Sequence, residues 1–304
     1  MERIAIVGSG VVGRATGKGF SGLGHDVVYA DSDPNVVRRL CQEGHHAIDP
    51  GALMKAQPSI IMICVPTPNN RDGRQDLASL EAALCAIGPL LASGGYRLVV
   101  VRSTVLPTVT ENLVLPALEA WARGKAGRDF GVCMNPEFLR EASAEDDFLK
   151  PWIVVIGELD RRSGDLLEGL YRPLCHRSHA PIFRTDLRTA EMMKYAHNLF
   201  NATKISFANE MWLVSRELGI DGNQVMALVA QSAEGMWNPR YGIRGGLPYG
   251  GSCLPKDIDA FANLVRDLGW YTPLLEAAIH VNRRTEEATE RRPALAERIT
   301  SAAS

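Results

Sequence analysis

The run Gly250-Gly251-Ser252-Cys253-Leu254-Pro255-Lys256-Asp257 sets one thiol between a glycine pair and a Pro-Lys-Asp helix start. Glycines permit positive φ and close approach of a ligand. Pro255 suits the first turn of a helix, and the pattern of residues 257–268 predicts that helix. Cys253 then lies at a helix N-terminus, where unpaired N–H groups and the macrodipole favour an anion. Such a setting makes a thiol give up its proton more readily. A free cysteine ordinarily fills space in a core, but glycines on one side and Lys256 and Asp257 on the other make poor core packing. The chemistry this spacing points to is a thiolate nucleophile with a cation and a proton acceptor beside it.

Other candidate residues recur at defined places. Lys194 and Asn198 are four apart and share one face of a helix predicted over residues 187–218, with Asn201 close to that face. Such a pair alone is ordinarily a solvated stripe. Gly8-Ser9-Gly10-Val11-Val12-Gly13 follows the apolar run Ile4-Ala5-Ile6-Val7, a helical stretch follows over residues 14–23, and the next apolar run, Asp26–Ala30, ends at Asp31. In this strand–turn–helix–strand frame, G-x-G-x-x-G with an acidic residue about 20 positions on is the dinucleotide fingerprint. The glycines admit the pyrophosphate to the helix N-terminus. Asp31 accepts from the adenosine ribose and repels a 2′-phosphate, so NAD is expected over NADP.

The elements that must hold these residues follow from the apolar runs. Strands are expected at residues 60–65, Leu98–Val101, Gly131–Met134 and residues 153–156, with helical patterns between. Such runs mark a doubly wound parallel sheet of Rossmann-like α/β type with helices on both faces. Ligands in these sheets lie beyond the carboxyl ends of the strands. Val65-Pro66-Thr67-Pro68, Arg102-Ser103-Thr104 and Asn135-Pro136-Glu137-Phe138-Leu139-Arg140-Glu141 all fall at those ends. From Asp186 the pattern turns helical: one long helix, a second near residues 223–234, a loop over residues 235–252 with six glycines together with Arg240, Arg244 and Tyr249, then the Cys253 helix and a last helix over residues 273–292. The long helix reads as a spine that joins two domains and pairs with its copy in a homodimer. The alternating charges of residues 283–292 read as an exposed or inter-subunit face.

Composition bounds the remaining classes. At 304 residues about two domains are expected, placed at residues 1–185 for NAD binding and 186–304 for an all-helical substrate and dimerisation domain. A net charge of −2 argues against nucleic acid and anionic membranes as partners. The apolar runs are too short to span a bilayer, and Met1-Glu2-Arg3-Ile4 opens into a strand with no signal-peptide pattern. Cys41, Cys64, Cys85, Cys133, Cys175 and Cys253 form no C-x-x-C pair and no zinc-type cluster. Free thiols, a reducing cytoplasmic setting and no metal are therefore expected.

Taken together these motifs resemble the UDP-glucose/GDP-mannose dehydrogenase family. Its members are nucleotide-sugar 6-dehydrogenases, which oxidise a primary alcohol to a carboxylate in two NAD-dependent steps. The resemblance runs in order from Gly8–Gly13 with Asp31, through Val65-Pro66-Thr67-Pro68 with Asp72-Gly73 and Asp76-Leu77, Ser103-Thr104, the Asn-Pro-Glu-Phe-Leu-Arg-Glu run and Lys194/Asn198, to the Cys253 motif. It implies that Cys253 attacks the intermediate aldehyde to give a thiohemiacetal and then a thioester. Lys194 and Asn198 are implied to stabilise the substrate oxygen, and Glu137 with Thr104 and Asp257 to position or deprotonate water. Pro66, Thr67, Thr104, Glu141 and Lys256 are implied to join Gly8, Gly10, Val11, Val12, Gly13 and Asp31 on NAD. Phe138, Leu139, Arg140, Glu141, Arg240, Arg244, Tyr249 and Gly250 are implied to meet a small-molecule alcohol, a sugar nucleotide or related sugar or nucleoside.

This chain departs from the family pattern in several places. A third, C-terminal nucleotide-binding domain has no room before Ser304 and is expected to be lacking. The substrate loop is shorter than usual. Thr108 and Ala142 stand where glycine is common, and the arginine usual before the strand at residues 153–156 is absent. Two alternatives accompany the four-electron reading: a two-electron dehydrogenase of the 3-hydroxyacid type using Lys194 and Asn198, and a catalytically inactive NAD-binding paralogue or fragment.

Overall fold

The computed structural model describes residues 1–302, with side chains described for residues 1–289. By its internal contacts the chain divides into two compact units, one up to Asn198 and one from Leu199 onward.

The first unit is built on eight strands in the order β3-β2-β1-β4-β5-β6-β7-β8. They are β1 (Arg3–Val7), β2 (Asp26–Ala30), β3 (His46–Ile48), β4 (Ile60–Ile63), β5 (Leu98–Val101), β6 (Gly131–Met134), β7 (Val154–Glu158) and β8 (Ile182–Thr185). The helices between them are α1 (Val11–Gly22), α2 (Pro34–Gln42), α3 (Leu53–Ala56), α4 (Ala78–Ala92), α5 (Leu115–Ala122), α6 (Ala144–Leu149) and α7 (Arg161–Ser178), and the long α8 (Leu187–Glu217) follows β8. Central strands are buried along their whole length, as in β4 and β5. Side chains alternate across the pleat. Ala5, Val7, Ile61, Ile63, Val99 and Val101 therefore pack under α4, α5 and the first turn of α8. Ile4, Ile6, Met62, Leu98, Val100 and Ile156 pack under α1, α6 and α7 with Phe20, Phe148 and Tyr171. Each fully buried side chain of this size contributes about 1.5–3 kcal/mol.

The sheet is not wholly parallel. β6 and β7 pair antiparallel, at Cys133 with Glu158 and Met134 with Gly157. The link between them carries only a short helix, and an antiparallel pair needs no long crossover. β3 and β8, which the apolar runs do not announce, add to the two edges and pair parallel with β2 and β7.

The second unit holds the rest of α8, then α9 (Gly222–Ser232), α10 (Glu234–Trp237), α11 (Leu254–Asp267) and α12 (Pro273–Ala302). The predicted glycine-rich loop thus begins with a short helix, and α11 starts three residues before the expected position because Pro255 is tolerated in a first turn. Gly219, at φ +70°, ends α8, and Asp221 caps α9 by accepting from the Asn223 and Gln224 N–H groups. In the charge-alternating stretch, Glu290, Arg291 and Arg292 lie outside the residues whose side chains are described.

Two buried glutamates of α8 each close the start of another helix within their own unit. Glu191 accepts from the Thr108 and Thr110 N–H groups at 2.6 and 2.8 Å, at the start of the π-helical turn Thr110–Val114 that runs into α5. Glu210 accepts from the Leu274 and Leu275 N–H groups at 2.9 and 3.1 Å, at the head of α12. A carboxylate there meets unpaired N–H groups and the positive end of the helix dipole.

Candidate active site

The β1–α1 turn is shaped by its glycines. Gly8 has φ +91°, and a Cβ there would lie 2.7 Å from the Cys64 carbonyl oxygen. A Cβ on Gly13 would fall 2.0 Å from the Gly8 oxygen. Gly10, the N-cap of α1, faces open space. The α1 N-terminus therefore stays bare for an anion. Beside it the Ser9 hydroxyl oxygen is buried with no hydrogen-bond partner among the described residues. Asp31 accepts from Ser9 N–H at 2.7 Å through Oδ2 and from Asp33 N–H at 3.0 Å through Oδ1, leaving each oxygen a lone pair for a ribose hydroxyl.

These residues open on a cleft of about 870 Å³ over the ends of β1, β2, β4 and β5. Gly8, Gly10, Val11, Val12, Asp31, Pro66, Thr67, Thr104 and Glu137 all line it. Gly13 stands beneath it as the point where α1 closes on the sheet. Glu141 lies apart, lining an adjoining cleft of about 650 Å³ with Ser9, Gly10, Val11 and Arg14. The bare helix terminus, the orphan hydroxyl and the ribose-type carboxylate fit a dinucleotide.

At the β4 and β5 ends the loops are tied to each other. Ser103 Oγ donates to the Val65 carbonyl at 2.6 Å, and Thr67 Oγ1 donates to the Thr104 carbonyl at 2.7 Å. Thr67 has used its proton and can only accept from a ligand. Gln75 Nε2 donates to the same Thr104 carbonyl at 2.8 Å.

Sequence patterning did not single out the side chain of Arg102 as a site group. It is 4 % exposed and lines the cleft. Its hydrogen bonds end on neutral groups: Nε on Thr16 Oγ1 at 2.9 Å, and Nη1 on Asn135 Oδ1 at 2.6 Å and the Tyr171 hydroxyl at 2.9 Å. Burial pushes the Cys64 thiol and the Tyr171 hydroxyl up to about 12 against the pull of this guanidinium. The available signal was an arginine directly after four apolar strand residues.

Glu137 connects the cleft to α8. Lys194, 5 % exposed, donates through Nζ to Glu137 Oε1 at 2.9 Å and to the Glu137 carbonyl at 2.5 Å. Glu137 Oε2 accepts from Leu139 N–H at 2.6 Å. The Phe138 ring lies 5.4 Å from the Lys194 nitrogen and 4.9 Å from the His197 ring. Burial, then the Lys194 charge, lowers His197 below its usual range. Asn198 is exposed, one turn further along. Arg140 is turned elsewhere: its guanidinium and N–H group bind the buried Asp147, and it stacks over Trp152.

In the second unit Cys253 is exposed and is the N-cap of α11, its carbonyl accepting from Asp257 N–H at 2.9 Å. Gly251 before it has φ +79°. Ser252 Oγ lies 3.8 Å from Sγ, and Lys256 Nζ donates to Asp257 Oδ1 at 2.5 Å. The loop leading in is held at Tyr249, whose N–H donates to Asn282 Oδ1 at 2.7 Å and whose carbonyl accepts from Asn282 Nδ2 at 3.1 Å. Gly250 follows at once, exposed, and Arg240 and Arg244 are exposed on the same loop.

Among the described residues no group of three or more His, Cys, Asp or Glu could hold a metal ion, and no helix is long and apolar enough to cross a membrane. Fold and cleft define an α/β protein of the dinucleotide-binding class.

Comparison with known proteins narrows the class. Residues 52–175 match the NAD binding domain, and residues 188–284 the central domain, of the UDP-glucose/GDP-mannose dehydrogenase family. Residues 3–84 also match the family described as NADP oxidoreductase coenzyme F420-dependent, over the β1–α1–β2 frame that dinucleotide folds share. GDP-mannose 6-dehydrogenase of Pseudomonas savastanoi pv. phaseolicola is 38 % identical over 301 residues, 92 % of this chain and 68 % of the relative. UDP-glucose 6-dehydrogenase of Haloferax volcanii is 34 % identical over 303 residues, 92 % and 69 % of the two chains. A ternary complex of GDP-mannose dehydrogenase from Pseudomonas aeruginosa superposes with a TM-score of 0.86 at 36 % identity, covering 93 % of this chain and 69 % of that one. The chain belongs to the UDP-glucose/GDP-mannose dehydrogenase family.

Proposed function

We propose that this chain oxidises the primary alcohol of a nucleotide sugar to a carboxylate, removing four electrons, with Cys253 as nucleophile. The observation that carries the reading is the exposed Cys253 thiol at the head of α11. NAD, when bound, supplies the hydride acceptor, one molecule for each of the two oxidations. The α1 terminus and Asp31 would hold its pyrophosphate and adenosine ribose, with Glu141 and Lys256 as further contacts. Pro66, Thr67 and Thr104 would lie along its nicotinamide half, Thr67 accepting from the carboxamide.

An ammonium has three donors. Lys194 directs two at Glu137, so one remains for the substrate oxygen as it gains negative charge, and Asn198 adds a second. In the first oxidation the alcohol loses its proton to water held by Glu137, Thr104 and Asp257, and loses a hydride, giving the aldehyde. Cys253 Sγ then bonds to the aldehyde carbon, and the carbonyl electrons move to oxygen. Loss of the second hydride restores the C=O bond as a thioester. Water, deprotonated with help from Glu137 and Asp257, attacks that carbon. The C–S bond breaks, the carboxylate leaves, and the Cys253 thiolate is regenerated. The backbone of residues 138–140, with Arg240, Arg244, Tyr249 and Gly250, would grip the sugar nucleotide.

The test is NADH formed per molecule of GDP-mannose or UDP-glucose consumed, the substrates named for the relatives. Two NADH and a carboxylate are expected, with no acid from Cys253→Ser. One NADH with an aldehyde or ketone product would replace this reading with the two-electron one, and unchanged acid output from the variant would remove Cys253 as the nucleophile.

The assembly belongs to the same proposal. Leu199, Phe200 and Ile205, all 60–64 % exposed on α8, support a homodimer through that helix. A functional division at residues 1–185 and 186–304 would give the whole of α8 to the substrate and dimerisation domain. Six free cysteines support a reducing, cytoplasmic setting.

A further inference from the structure

The loop after β4 makes a small hairpin. Asn69 bridges to Gln75, Asn70 N–H donates to the Arg74 carbonyl at 2.7 Å, and Gly73 turns it at φ +82°. Residues 71–74 are exposed, and the hairpin adds nothing to the core. Its last residue, Gln75, is half-buried and uses its whole side-chain amide. Nε2 donates to the Thr104 carbonyl at 2.8 Å and to the Tyr195 hydroxyl at 3.3 Å, and Oε1 accepts from Leu106 N–H at 3.2 Å. One amide thus brackets the Thr104–Leu106 backbone as a neighbouring strand would, and ties it to the residue next to Lys194. The Thr104 carbonyl is held twice, since Thr67 also donates to it.

The sheet order gives this bracket a direction. Asp31 ends β2 and the pyrophosphate turn ends β1, so the far half of a dinucleotide runs toward β4 and β5, where Thr67 and Thr104 stand. We propose that Gln75 is a positioning residue. It fixes the Thr104 segment against the nicotinamide half of NAD and couples that segment to the Lys194 turn of α8. This rests on the proposed placement of Thr104 beside the nicotinamide.

The test compares NADH with ADP-ribose, which lacks the nicotinamide, by titration calorimetry on the full chain. Gln75→Leu keeps the volume and removes all three bonds, while Gln75→Glu keeps the acceptor and removes both donors. With net bonds of ordinary strength, NADH binding should weaken about five- to fiftyfold in Gln75→Leu and no less in Gln75→Glu, whose second carboxylate oxygen faces the Thr104 carbonyl without a hydrogen to offer it. ADP-ribose binding should stay within about twofold, because the adenosine contacts are untouched. Equal weakening of both ligands, or no change in either, overturns the inference. Thr104→Val separates the two layers. If it weakens NADH alone while Gln75→Leu does not, only the role of Gln75 falls. If Thr104→Val changes neither ligand, the placement of Thr104 falls and the inference falls with it.

Discussion

Thr108 should be replaceable by glycine with a gain in stability. Leu106-Pro107-Thr108-Val109 forms a turn in which Val109 N–H donates to the Leu106 carbonyl at 3.1 Å and Thr108 has φ +80°. That pattern, with proline second and positive φ third, is a type II turn, whose third position favours glycine. A side chain with a Cβ in the left-handed region costs about 1–2 kcal/mol, and a β-branched one is stiff besides. Thr108→Gly removes that strain and adds about 0.4–1 kcal/mol of unfolded-chain entropy. The net expectation is a gain centred on about 0.8 kcal/mol. Glu191 loses nothing, because its two bonds end on backbone N–H groups. Thr108→Ala keeps the Cβ and should recover little of the gain. The assay is urea unfolding, with the shift assigned to the sheet unit by peptide-resolved hydrogen exchange over residues 98–122. A midpoint rise of about 0.2–0.5 M at unchanged slope is expected. A Thr108→Gly chain no more stable than the parent would refute the strain argument and leave Thr108 as a residue whose side chain stabilises the turn.

Lys194→Ala strands the Glu137 carboxylate at 12 % side-chain exposure. It should cost about 3 kcal/mol in urea unfolding, and most of that should return when Glu137→Gln is added; a fully additive double variant contradicts a coupled pair. Asp147 is held far below the usual carboxylate range, mainly by its hydrogen bond from Arg140. Its contribution is therefore full above the unfolded value of about 4 and fades as pH falls below it. Asp147→Asn should be less stable than the parent at pH 7, with the gap narrowing toward pH 3, and a pH-independent gap would argue against an ionic origin. Asn282→Ala frees the Tyr249 backbone. It should change the alkylation rate of Cys253 severalfold while leaving exposed Cys41 and Cys85 as they are, read by mass spectrometry; equal rates at Cys253 would show that the loop holds its shape without Asn282.

The sequence carried the central strands and the cofactor turn clearly, for a physical reason. Ile4–Val7, Leu98–Val101 and Gly131–Met134 are buried on both faces and must be apolar throughout, and the Gly8–Gly13 spacing is dictated by contacts that admit no Cβ. The edges were not legible. His46–Ile48 has three residues, and Ile182–Thr185 is half-exposed with Phe183 and Arg184 at its centre, so neither makes an apolar run. The antiparallel turn into β7 was hidden because each strand reads alike in either direction. At the site, residues fixed by backbone demands were visible, such as the thiol after Gly250-Gly251. Residues whose only mark is a side-chain bond to a distant segment were not. Gln75 reaches Thr104 and Tyr195, and Arg102 reaches Thr16, Asn135 and Tyr171, and no local spacing marks such partners.

The strand order also sets how the sheet can come together on the ribosome. β2 joins β1 and β3 joins β2; then β4 takes the other side of β1, and each later strand pairs with the one made just before it. The farthest reach is from Ile4 to Ile60. Every strand therefore emerges to find its partner already present, and the longest wait is that of the second edge of β1 for β4. Chains grow at about 5–20 residues per second, so each apolar edge is covered within seconds of appearing. The two edges left when the sheet is complete, β3 and β8, are its shortest or near-shortest strands, which gives a neighbouring nascent chain little to pair with.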